Sequence, residues 1–147
     1  MNLLHELKDF YSYLTTWNLT LLILFNLGYL QNHYYDLLFL SIFISVCSFI
    51  FTYIYPKKFK FKIGKLINYT FKGKELIIFD LICHQIPLVL LFNKKLYYHK
   101  KKTYLFVLIP LIYKLILNDN YQRYGLTNLF TYQVYFILFI FYFFIAN

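Results

Sequence analysis

Small residues are nearly missing from this chain, which has one Ala and four Gly in 147 residues. Membrane helices that approach closely do so through small side chains. That route is largely unavailable here, so helices are expected to pack through Phe, Tyr, Leu and Ile. Cysteine is scarce as well. Cys47 and Cys83 both lie inside apolar runs, which reads as two buried small side chains and not a disulfide framework. Acidic residues number six against fifteen basic ones, and Arg123 is the single Arg. The segment Met1 to Tyr13 holds Glu6, Lys8 and Asp9, so it does not read as a cleavable signal peptide. Neither a Gly-rich phosphate loop nor a G-x-S-x-G elbow is present. His5, His33 and His99 are dispersed without ligand spacing, so no metal or other cofactor is expected.

What is abundant is apolar and aromatic. Hydrophobic residues make up 61%, aromatics 24%, and mean hydropathy is +0.54. A soluble domain is about 45–50% apolar. The expected architecture is therefore all-α, a single integral membrane domain over 1–147. A polytopic helix bundle of about five transmembrane helices is expected, in the endoplasmic reticulum or another endomembrane if the chain is eukaryotic or viral. The spans are expected near 13–30, 36–55, 76–93, 103–117 and 128–145. Pro56 ends the second, while Trp17, Tyr53 and Tyr55 read as interface anchors. Met1 to Ser12 is a polar-aromatic lead at the interface, and 118–127 is turn-rich.

The formal charge is +9, and seven lysines fall within Lys57–Lys74 and five within 93–102. Basic residues confined to loops between apolar runs point to anionic lipid headgroups, with no nucleic-acid partner. In KKFKFKIGKL, Lys alternates with Phe and Ile. That pattern gives either a two-sided strand on the membrane surface or an irregular basic loop. With five spans the basic residues split nine to five between the two sides, too evenly to orient the chain. A re-entrant third stretch would instead put both lysine loops on one side. Asn68-Tyr69-Thr70 is a glycosylation sequon that only a lumenal loop could use.

Glu75 to Phe92 is apolar enough for a bilayer yet carries Asp80, His84 and Pro87. A charge at mid-membrane depth costs at least ~3 kcal/mol, so such residues face a bundle interior and are functional candidates. Asp80 and His84, four apart, share one helical face. Asp80 could otherwise be an interfacial carboxylate at a helix start, and His84 a packing residue. Thr15 and Thr16 lie near the mouth of the first span. A Thr there often bonds the carbonyl one turn back. A Thr hydroxyl can also act as a nucleophile beside a base, with His as base and a carboxylate orienting the ring.

Three motifs in order carry a family resemblance. Tyr13-Leu-Thr-Thr-Trp-Asn18, Ile54-Tyr-Pro-Lys57 and Asp80-Leu-Ile-Cys-His-Gln-Ile-Pro87 resemble segments of the FAR-17a/androgen-induced-gene family. Members are multi-pass membrane hydrolases of fatty-acid esters of hydroxy fatty acids, with catalytic Thr and His. The resemblance puts Thr15 at the nucleophile position and His84 at the catalytic histidine. The chain departs from the family by lacking a span before the threonine. Asp80 replaces an Asn, Leu81 replaces a first His, and Gln85 replaces a Thr.

The expected function is thus an intramembrane lipid-ester hydrolase in which Thr15 attacks, His84 takes the proton and Asp80 orients His84. Two other readings of the same residues stand. One is a non-enzymatic scaffold or small subunit of a membrane complex. The other is a transport subunit using Asp80, His84 and Lys114. Depth constrains the first reading. A helix rises about 1.5 Å per residue, so Thr15 and His84 differ by ~9 Å if their spans begin at Tyr13 and Leu76. The levels agree if Asp80 marks the interface and its helix runs past Asn93 towards Tyr98, over 80–98. On that basis the Thr15 hydroxyl is expected within ~5 Å of the His84 ring, on neighbouring helices.

Overall fold

The computed structural model describes residues 3–11, 13–54, 59–63, 65–94, 102–117 and 128–145. Tyr55, Pro56 and Lys57, residues 95–101 and the connection 118–127 with Arg123 lie outside them. Helix α1 is Leu3–Phe10 and α2 is Leu14–Asn26. The first expected span ends early because Gly28 takes φ +93°. It closes a Schellman motif, in which Gly28 N–H donates to Phe25 O at 3.0 Å and Tyr29 N–H to Leu24 O at 3.1 Å, a turn that only Gly adopts without strain.

Helix α3, Gln31–Ile54, is the central element. It runs from a 3-10 turn through Tyr34–Phe49 into a π turn at Ile50–Ile54. It packs against α2, against α4 (Lys74–Phe92), against the start of α5 (Phe106–Leu117) and against α6 (Asn128–Ile145). Leu37, Leu40, Phe43, Val107 and Tyr113 are fully enclosed around it. The core is therefore aromatic and aliphatic, as the scarcity of Ala and Gly demands. Small contacts nevertheless exist, because α3 carries Ser41, Ser45, Ser48 and Thr52 at spacings of four, three and four. That is one helical face, and it lies against α2 and α4. Serine supplies the close approach that glycine does not.

The lysine-rich loop folds as a hairpin of β1 (Phe59–Ile63) and β2 (Ile67–Phe71), with Phe59 opposite Phe71 and Phe61 opposite Tyr69. Alternation puts these rings on one face and Lys60, Lys62, Asn68 and Thr70 on the other. The Tyr13 hydroxyl accepts from Lys62 N–H at 3.1 Å and so occupies backbone on the β1 edge. Phe59 is buried with Tyr13, Phe51 and Leu76.

Helix α4 starts at Gly73, whose φ is +53°, and is interrupted at Leu81–Gln85 by a π turn. Pro87 follows directly. It has no N–H for the carbonyl of Cys83, and its ring crowds that carbonyl, which opens the turn before it. The helix ends at Phe92, where Asn93 N–H and Lys94 N–H close the last turn onto Val89 O and Leu91 O. The expectation that it continues past Asn93 is therefore corrected. At the other end of the helix, Lys74–Asp80 packs on β2 and the π turn of α3.

Gln31–Ile54 and Lys74–Phe92 are long and apolar enough to cross a membrane, while Leu14–Asn26, 106–116 and 130–144 are apolar but shorter. The thirteen residues of α2 span about 20 Å, against a hydrocarbon core of about 30 Å. Apolar side chains point outward on α4 (Ile78, Ile82, Ile86, Leu90) and α6 (Phe136, Ile140, Phe144).

Candidate active site

The site forms where α2, α3 and α4 meet. Thr15 sits in the first turn of α2, and His84 lies in the π turn of α4. Thr15 Oγ1 lies 3.0 Å from His84 Nε2. On the other side of the ring, Nδ1 lies 3.1 Å from Asp80 Oδ1 and 2.9 Å from Ser48 Oγ. Ser48 Oγ donates to the same Asp80 oxygen. A carboxylate only accepts, and the Ser48 proton is already committed to it. Nδ1 must therefore carry a proton, and in the neutral ring Nε2 is the acceptor for the Thr15 hydroxyl. The tautomer follows from the partners: Thr15 donates to a free imidazole lone pair.

Asp80 is held in turn. Gln85 Nε2 donates to its second oxygen at 3.2 Å. The His84 backbone is tied down by Ser45 Oγ, which donates to His84 O at 3.0 Å. Asp80 is 1% exposed, His84 7% and Thr15 8%, so every polar atom in the line works out of bulk water. Thr16, the other threonine candidate, is spent on backbone, with Oγ1 2.7 Å from Tyr13 O and 2.8 Å from Phe10 O.

The line opens on a cavity of about 250 Å³. Its walls include Thr15, Ser48, Cys83 and His84, with Leu19, Phe43, Ile44, Phe51 and Phe79, and the hairpin rings Phe59 and Phe61 form one side. The hollow is thus apolar apart from the hydroxyls and the imidazole. Among the described residues, no group of three His, Cys, Asp or Glu side chains gathers as a metal site would need. Cys47 and Cys83 are free thiols.

The other candidates lie apart. Lys114 Nζ stands 4.7 Å from the centre of the Tyr132 ring. Trp17 Nε1 donates to Tyr11 O at 2.7 Å, and its ring meets Tyr113 edge-on. His33 Nδ1 is 2.7 Å from Thr103 Oγ1, and His99 lies outside the described residues. Sequence reasoning passed over Ser45 and Ser48, and named Gln85 only as a departure from a motif. The signal that finds the serines is the Ser41-Ser45-Ser48-Thr52 stripe, one polar face on an otherwise apolar helix.

Comparison with protein-family models, with curated proteins and with solved structures gave no match for this chain.

Proposed function

We propose that the chain is a multi-pass membrane protein with five helices in or across the bilayer, acting as an intramembrane lipid-ester hydrolase. The observation that carries this reading is the hydrogen-bonded line Thr15–His84–Asp80 opening on an apolar cavity. The resemblance to the FAR-17a/androgen-induced-gene family assigns the same two residues, Thr15 and His84, to the reaction. The outward apolar faces of α4 and α6 suit contact with acyl chains.

In this mechanism Thr15 Oγ1 attacks the ester carbonyl carbon while its proton moves to His84 Nε2. Asp80, on Nδ1, stabilises the imidazolium that forms. The tetrahedral intermediate collapses, and the leaving alcohol takes the proton from Nε2. The acyl group now sits on Thr15. A water molecule then gives a proton to Nε2 and attacks the acyl carbon, which releases the fatty acid and restores the Thr15 hydroxyl. The aromatic cavity walls hold the acyl chain.

The hairpin suits a position against the bilayer surface. Lys60 and Lys62 stand exposed on its outer face and Lys65 at its turn, an arrangement that suits anionic headgroups.

The test is hydrolysis of 4-nitrophenyl octanoate by the purified full chain in nanodiscs. Thr15→Ala is expected to lower kcat/KM by about 10³-fold, within the range that nucleophile and base removal produce. Equal rates for wild type and Thr15→Ala would leave the scaffold reading in place of the enzyme.

A further inference from the structure

Four threonines line the active-site cavity, and they are not spent alike. Thr15 donates to His84, and Thr16 is bound to backbone carbonyls. Thr131, on α6, is engaged within the protein. Thr52 is different. It is 5% exposed, it lines the cavity, and its Oγ1 finds no hydrogen-bond partner among the described residues. A Thr inside an apolar helix ordinarily donates to the carbonyl one turn back, as Thr20 does to Thr16 O at 2.8 Å. Thr52 sits instead in the π turn Ile50–Ile54, and its hydroxyl leaves the helix backbone alone. Buried polar groups in folded proteins are almost always paired, and one left unpaired costs stability. Such an exception in the wall of a cavity points to a bonding partner that arrives with the ligand.

We infer that Thr52 is a ligand-binding residue, the hydroxyl that donates to a carbonyl oxygen on an otherwise apolar chain. Three observations set the chemistry. Thr52 stands one helical turn from Ser48, the residue that holds Asp80 and the Nδ1 side of His84, so its hydroxyl belongs to the same end of the cavity as the reacting groups. The surrounding walls are Phe51, Phe59 and Leu76, which take methylene groups and offer no competing charge. The cavity of about 250 Å³ exceeds the ~150 Å³ that accommodates benzene and falls short of the ~300–1,000 Å³ of drug-sized sites. One acyl segment fits, and two do not. Thr52 then selects, among apolar chains, those bearing an oxygen acceptor. This rests on the reading of the cavity as an acyl site, but it can be tested without turnover.

The experiment uses the full chain carrying Thr15→Ala, in detergent, and reads the thermal shift produced by 2-decanone and by decane at equal concentration. A ligand that binds the folded state raises Tm in proportion to its affinity. The ketone is expected to raise Tm more than the alkane, by the equivalent of about a tenfold difference in affinity. In Thr15→Ala/Thr52→Val the two shifts should become equal, and in Thr15→Ala/Thr52→Ser the ketone should regain its advantage. Without ligand, Thr52→Val should melt no lower than its parent, because the hydroxyl has no bond to lose. A ketone preference that survives Thr52→Val, or a Thr52→Val protein that melts well below its parent, overturns the assignment. If Thr15→Ala proves as active as wild type but the ketone preference depends on Thr52, the hydrolase reading fails and the binding site stands.

Discussion

A cluster of Asp, His and Thr lies against each end of helix α3, and the two are built in opposite ways. Towards its C-terminal end, the order of bonding is Thr15, His84, Asp80. The imidazole is in the middle, its basic nitrogen turned to a hydroxyl and to a cavity. Towards its N-terminal end, the order is His33, Thr103, Asp36. There the threonine is in the middle, donating to Asp36 Oδ2 at 2.7 Å and receiving His33 Nδ1 at 2.7 Å. Asp36 also accepts from Thr103 N–H at 3.2 Å, from Phe106 N–H at 3.1 Å and from the Tyr142 hydroxyl. It is fully enclosed. Its carboxylate satisfies the first turn of α5 and ties α3 to α6, with every donor committed. The same three residue types thus build a line that opens on a cavity where the histidine is central, and a staple where the carboxylate gathers the donors.

The sharpest break in this comparison comes from removing one member of each cluster. His84→Ala is expected to reduce ester hydrolysis by about 10³-fold per folded molecule, because it removes the base. Asp36→Asn should act on stability instead. Replacing one acceptor oxygen by an NH₂ that faces two donors should cost about 3 kcal/mol, read as thermal denaturation in detergent, with activity per folded molecule preserved. Loss of activity by Asp36→Asn in fully folded protein would erase the distinction.

A smaller effect sharpens it. Ser48→Ala leaves Thr15, His84 and Asp80 in place but removes the hydroxyl shared by Asp80 and Nδ1. A drop of about tenfold in kcat with KM little changed is expected, since the ring loses one of two restraints on its tautomer and angle. No change in kcat would make Ser48 packing alone. The least effect belongs to the hairpin, which covers only the reactive end. Lys62→Ala should weaken binding of the full chain to vesicles containing phosphatidylserine by about 1 kcal/mol, roughly fivefold, with the loss fading at high salt. A salt-independent loss would place the effect in the fold of the hairpin.

Much of this arrangement was legible in the sequence. Apolar runs locate the apolar helices among the described residues, two of which are long enough to cross a membrane, and the Lys/Phe alternation offers a two-faced strand as one of two readings because β geometry has a period of two. Asp80 and His84 stand out because charge inside an apolar run is costly. The staple was hidden. Asp36 follows a loop and looks like an ordinary acidic residue in the first turn of a helix, and its partners Thr103 and Tyr142 are far off in the chain. Ser48 and Thr52 were hidden for another reason: single serines and threonines are common in apolar helices, and only the four-three-four spacing separates a face from a scatter. The end of α4 was misjudged because the level of His84 was balanced by lengthening the helix. Thr15 and His84 meet although the helix ends at Phe92, and the first turns of α4 pack on the hairpin, a long-range contact that no local pattern announces.

The central claim is that Thr15 is the nucleophile, activated by His84. Its most direct test is a fluorophosphonate probe on the full chain in membranes, followed by mass spectrometry to locate the adduct. The account predicts one adduct on Thr15 Oγ1, absent in His84→Ala although that variant is folded. An adduct on Ser48, or labelling of Thr15 that is undiminished in His84→Ala, would contradict it.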